Sequence, residues 1–109
     1  MRYILQVSSK AVPGREADYD EWYENTHMWE VLGLPGFLSC ERFRRAGPGA
    51  EGETEFVAQY AVETDDPAAL LNALFAATPN FNMTDAIDIA SPRFEFLEPD
   101  GKGPRAAPA

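Results

Sequence analysis

The chain has 109 residues, with 9 Lys and Arg against 18 Asp and Glu, a formal net charge of −9. That length bounds it to one domain with one core, and a hydrophobic content of 45% excludes disorder throughout. The acid excess argues against a nucleic-acid partner, which needs Lys and Arg to neutralise phosphates, and no apolar run approaches membrane-spanning length.

Taken in chain order, Arg2 to Ser9 alternates as a strand, with Tyr3, Leu5 and Val7 on one face and Arg2, Ile4 and Gln6 on the other. It starts directly at the N-terminus, with no charged and then apolar leader. The single Cys40 cannot form an internal disulfide. Both features fit a cytoplasmic protein. Val12-Pro13-Gly14 breaks the strand, and a helix begins near Glu16 with acids in its first turn. Tyr19, Trp22, Tyr23 and Thr26 recur at three- and four-residue spacings as an inward stripe, and His27 lies on its flank, four residues beyond Tyr23. Gly33 to Gly36 ends the helical region.

Phe37 to Arg45 alternates as a second strand, Ala46 to Gly52 is a glycine-rich loop, and Thr54 to Glu63 is a third strand, so the pair predicts a hairpin. Asp66-Pro67 reads as an N-cap and first-turn proline for a second helix carrying Leu70, Leu71, Leu74 and Phe75 and stopped near Pro79. Ala86 to Leu97 reads as a fourth strand, bent at Ser91-Pro92 because proline cannot donate to a ladder. Residues 1–98 then form the folded domain, and 99–109, rich in Gly, Pro and Ala, a flexible tail. The order βαββαβ predicts an α+β, ferredoxin-like fold. The third strand is apolar on both sides, with Phe56, Ala58, Tyr60 and Val62 on one and Val57 and Ala61 on the other. Two helices cover only one face of a four-stranded sheet, so the other face calls for a second copy in a homodimer.

The densest chemistry lies between Trp22 and Phe37, which holds the only histidine and both tryptophans. Asp20-Glu21-Trp22-Tyr23, then Thr26-His27-Met28, then Glu30-Val31-Leu32 and Leu34-Pro35-Gly36-Phe37 resemble the dimeric α/β-barrel superfamily. Within it they resemble the EthD-like members, with an aromatic helix, a His-x-Pro-Glu/Asp stretch and Pro-Gly-Phe. The resemblance spans Arg2 to about Leu97. It implies two sheets back to back across a dimer, with a small-molecule pocket in each subunit between sheet and helices. Relatives in the wider superfamily include cofactor-free monooxygenases, lactone isomerases, polyketide cyclases and lyases, with haem-binding branches besides. Trp29 stands where the pattern has proline, which puts its indole either in the pocket or at the surface.

Two readings of His27 stand side by side. One is a general acid–base with Tyr23 one turn away to orient it or donate a proton. The other is a helix-end histidine that caps carbonyls or pairs with Glu24 or Glu30. Trp22, Trp29, Tyr60, Phe81 and Asn80 are the candidate substrate-binding residues, although aromatics at such spacings are more often core, and Asn80 and Asn82, placed to supply amides at the pocket mouth, also fit plain loop polarity. Tyr60 stands out because a buried phenol seeks a hydrogen-bond partner. Cys40 has no base in its own segment and reads as an inert thiol. The carboxylates lack metal-ligand spacing, so no metal and no cofactor are expected, a single haem ligation by His27 being the lesser alternative. Gly47 to Gly52 lies between strands and makes a poor phosphate cradle, and Arg42, Arg44 and Arg45 read as a solvated strand end.

The functional expectation is a cofactor-independent enzyme that carries out cyclase, isomerase or lyase proton transfer, or cofactor-free oxygenation, on a hydrophobic cyclic or aromatic substrate. The alternative is a ligand-binding or stress-responsive dimer without catalysis.

Overall fold

The computed structural model describes residues 1–109. Its elements are strand β1 (Arg2–Lys10), helix α1 (Glu16–Trp22), a π-helical turn (Tyr23–His27), helix α2 (Met28–Leu32), strands β2 (Phe37–Arg44) and β3 (Glu55–Glu63), helix α3 (Pro67–Ala77) with a 3₁₀ turn (Thr78–Asn80), and strand β4 (Arg93–Leu97). The four strands form one antiparallel sheet in the order β2-β3-β1-β4. This is the predicted βαββαβ arrangement, with both helical arms on one face.

Register decides what that face carries. Leu5 pairs with Tyr60 and Phe96, and Val7 with Ala58 and Phe94. Tyr19, Tyr23, Met28 and Val31 from the first arm and Leu70 and Leu74 from α3 pack onto this layer as the core. Tyr19 stacks on Phe56 with ring centroids 4.6 Å apart, and its hydroxyl shares a hydrogen bond with Ser9. A bulge between Phe37 and Ser39 breaks strict alternation in β2. It brings Phe37 and Cys40 to the same face although they are three residues apart.

The opposite face is more mixed than an apolar dimer surface would be. Val57 is only 7% exposed, while Phe43 and Leu97 are open at 42% and 46%. Between them Gln59 donates to Gln6 at 3.0 Å, and Arg93 pairs with Glu55 at 3.1 Å.

Two local expectations are corrected. The fourth strand is only Arg93–Leu97, and Ala86 to Pro92 runs irregularly with one bridge, Ala11 to Ile87. Asp88 and Ser91 close a turn on themselves, with Ser91 N–H and Oγ–H both reaching the Asp88 carbonyl, at 3.0 and 2.6 Å. Pro92 has no N–H to continue the ladder. Thr26 is not part of the inward stripe, because Met28 takes that place. The buried residues Tyr19, Tyr23, Met28 and Val31 are spaced four, five and three apart, and the step of five is the mark of the π-turn. There Met28 N–H donates to the Tyr23 carbonyl, five residues back.

The second helix begins as its sequence dictates. Asp66 accepts a hydrogen bond from Ala69 N–H at 3.1 Å, and Pro67 follows it at the first helical position. No helix is long and apolar enough to cross a membrane.

Candidate functional site

A cavity of about 350 Å³ lies between the sheet and the helical arms. Ten of its fourteen lining residues are hydrophobic. Val7 and Phe94 form its floor, Val31 and Leu74 its sides, and Met83 and Ile89 stand near its mouth, Ile89 being 86% exposed. The irregular segment after α3 is what supplies Met83, Ile87, Ile89 and Pro92. The polar atoms come from His27, Tyr23, Tyr60, Ser9 and Thr78, and no charged side chain faces the space. A charged ligand would lose its hydration there without a compensating partner, so the cavity suits a neutral one.

The π-turn places His27. Its ring stacks on Trp22, five residues earlier, at 4.6 Å and 18°, and meets Tyr23 edge-on at 5.0 Å and Phe81 edge-on at 5.8 Å. A wider helical turn puts residues five apart above one another, which an α-helix would not do. Burial in this aromatic cage lowers the imidazole pKa from 6.5 to about 4, against the opposing pull of the Glu30 charge. His27 is therefore neutral at pH 7. Its Nδ1 is enclosed and has no hydrogen-bond partner.

Tyr23 and Tyr60 share a hydrogen bond of 2.7 Å on the same cavity wall. Burial raises both phenol pKa values above the ordinary value for tyrosine, so both stay protonated. One hydroxyl donates to the other, so the second O–H of the pair is not held by this bond, and the Cys40 thiol lies beside Tyr60 as a further partner. Arg42 holds the back of Tyr23, its guanidinium carbon 4.7 Å from the ring centroid, while pairing with Asp20 at 2.8 Å and Glu24 at 3.0 Å. The arginine is thus a clamp between β2 and α1, not a solvated strand end. Burial likewise pushes the Cys40 thiol up to about 11, in keeping with an unreactive cysteine.

The structure brings some of the candidate residues together and separates others. His27, Tyr23 and Tyr60 line the cavity. Trp22 and Phe81 touch the His27 ring from outside the cavity lining. Trp29 stands apart, 61% exposed, with Nε1 donating to the Glu24 carbonyl at 3.0 Å. The indole is turned outward because it closes a backbone carbonyl of the π-turn, so it neither plugs nor lines the cavity of its own chain. Asn80 is also exposed and outside the lining.

Asn82, read as a pocket-mouth amide or plain loop polarity, proves to be a tie. Its N–H and Nδ2 donate to Glu30 Oε2 at 2.8 and 3.2 Å, and its carbonyl accepts from Trp22 Nε1 at 2.7 Å. Ser9 and Thr78 also escaped sequence reasoning. Nothing local marks them, and only strand register and the end of α3 turn them inward.

No family model matches the chain, and no curated protein sequence does. Solved structures do. An ethyl tert-butyl ether D (EthD) family protein from Bacillus halodurans is 20% identical with a TM-score of 0.62, over 89% of this chain and 98% of its own. A protein from Bacillus cereus, provisionally named an antibiotic biosynthesis monooxygenase, is 13% identical with a TM-score of 0.55, over 100% and 99%. A monooxygenase from Streptomyces coelicolor in complex with nanaomycin D is 17% identical with a TM-score of 0.53, over 95% and 92%. At these identities the likeness shows the fold, which is the ferredoxin-like α+β fold of EthD and monooxygenase structures.

Proposed function

We propose that this chain is a cofactor-independent small-molecule enzyme that moves protons on a neutral, hydrophobic cyclic or aromatic substrate. The observation that carries this reading is the meeting, on one wall of an apolar cavity, of a neutral imidazole and a hydrogen-bonded pair of protonated phenols. His27 accepts a proton from an acidic C–H or phenol O–H of the substrate. The second O–H of the Tyr23–Tyr60 pair donates to the oxygen on which charge develops. Returning the proton at a different atom completes an isomerisation, a cyclisation or an elimination. Cofactor-free oxygenation is the variant in which the deprotonated, electron-rich substrate reacts with O₂. The Streptomyces coelicolor monooxygenase of the same fold, in complex with nanaomycin D, supports this class of reaction and ligand.

The same reading makes the protein a homodimer. A second copy covers the sheet face that leaves Phe43 and Leu97 open. Sedimentation at micromolar concentration tests that point, and a strictly monomeric species counts against it.

The function itself is tested by native mass spectrometry of protein purified from its source. A retained neutral aromatic compound is then supplied to the wild type and to His27→Ala. Turnover by the wild type alone supports the enzyme. Retention without turnover by either protein favours the ligand-binding dimer.

A further inference from the structure

Within the site, two enclosed polar atoms lack a hydrogen-bond partner: Nδ1 of His27 and Oε1 of Glu30. They lie three residues apart where the π-turn meets α2, and so on one side of the helical arm. The other carboxylate oxygen of Glu30 is engaged by Asn82, from the backbone N–H at 2.8 Å and from Nδ2 at 3.2 Å. That tie holds the carboxylate beneath the Phe81–Asn82 segment, and the Phe81 ring meets the His27 ring edge at 5.8 Å. His27 and Glu30 thus sit against adjacent residues of that segment, Phe81 and Asn82 respectively. Enclosed groups of this kind are rarely left unpaired, because each has given up its water.

We infer that Glu30 is a positioning residue for His27, a hydrogen bond relayed from Nδ1–H to Oε1 through one internal water fixing the tautomer that leaves Nε2 as the base toward the cavity. The inference deepens the acid–base reading of His27 and rests on it. Glu30 opposes the lowering that burial imposes, which still leaves the imidazole at about 4. A carboxylate acceptor behind the ring stabilises the imidazolium and strengthens the opposite nitrogen as a base.

The surroundings leave Glu30 as the carboxylate for this task. Glu24 on the π-turn is engaged by Arg42 at 3.0 Å, and this pair lies with the Arg42 guanidinium at the Tyr23 ring. Tyr23 and, from β3, Tyr60 are protonated phenols. Trp22 from α1, Phe81 from the segment after α3 and Ser9 from β1 carry no charge.

Because His27 is the only histidine, ¹⁵N NMR of the ring reports the pairing without assignment and without substrate. The wild type is expected in the Nδ1–H tautomer. Glu30→Gln keeps an acceptor and so keeps the tautomer, but it lowers the imidazole pKa by about one unit. Glu30→Ala returns the ring to the Nε2–H form that free imidazole favours. An Nε2–H tautomer in the wild type, or an unchanged titration in Glu30→Gln, overturns the inference. Loss of turnover in His27→Ala is a separate readout. If that variant stays fully active while the tautomer and the Glu30→Gln shift are as expected, the pairing stands and the catalytic reading alone fails.

Discussion

Tyr23 on the first helical arm and Tyr60 on β3, 37 residues apart in sequence, share a buried hydrogen bond of 2.7 Å. The bond joins helix to sheet at the wall of the cavity, so one contact serves both fold and site. Replacing either tyrosine by Phe leaves the other hydroxyl without this partner in a dry environment. Each single change is expected to cost about 1–3 kcal/mol, and the double change less than the sum. Urea unfolding of the four proteins in the cycle checks this, and strict additivity would show that the two hydroxyls are not coupled.

His27→Ala is expected to lower turnover of the native substrate by roughly 10²–10⁴, the usual share of general acid–base catalysis. Circular dichroism should show the fold retained, because His27 lines an existing cavity and its Nδ1 holds no hydrogen bond to the rest of the fold. A near-wild-type rate would make the histidine structural.

The pH dependence follows from the depressed imidazole pKa. The folded protein holds His27 neutral down to about 4, while the unfolded chain protonates it near 6.5. Between these values the unfolded state binds more protons, so stability falls as the solution is acidified through that window and is fully present above it. The acid limb of kcat/KM should lie well below the ordinary histidine range. Both are read from urea midpoints and rate profiles between pH 4 and 8, and an acid limb at 6.5 or higher would contradict the buried, neutral ring.

Arg42→Met removes the ion pairs to Asp20 and Glu24 and the contact with the Tyr23 ring. Both carboxylates are solvent-exposed, so the expected loss is about 1–2 kcal/mol, carried mainly by the cation–ring contact. Arg42→Lys should not restore it fully, because an ammonium cannot lie flat on the ring while reaching two carboxylates. Urea midpoints of the two variants decide this.

Gly36→Ala should be the most damaging single-methyl change near the site. Gly36 has φ of +89°, and an added Cβ would meet the Glu63 carbonyl and Leu70 Cδ1, each at 2.9 Å. Left-handed backbone and overpacking together predict a loss of roughly 2–5 kcal/mol. Gly47→Ala, at φ +80° but with open space around it, should lose only the conformational share. Thermal unfolding of the pair separates the two terms.

The sequence by itself determined the order of the elements, the cap at Asp66-Pro67, the hairpin between β2 and β3, and the sheet face that would carry Phe56, Ala58, Tyr60 and Val62. Those features are local. They follow from the period-two alternation of strands, from the special backbone needs of Gly and Pro, and from a carboxylate next to a helix start. His27, Tyr23 and Tyr60 stood out for chemical reasons that need no coordinates, one as the only histidine and the others as phenols on apolar faces.

Tertiary structure alone decided which neighbours those residues have. The step of five from Tyr23 to Met28 is visible only once burial is known, and the π-turn it marks is what stacks His27 on Trp22. Trp29 turned outward because a backbone carbonyl of that turn needed a donor. Ala86 to Pro92 became cavity wall instead of strand, turned at Asp88 and Ser91, which bond each other and Lys10 at the end of β1. Phe81 and Asn82 closed over His27 and Glu30 through contacts more than fifty residues apart in sequence. Periodicity along a chain specifies which side of an element faces inward. Partners across elements are set by the packing that satisfies every buried polar group at once, and no single segment contains that condition.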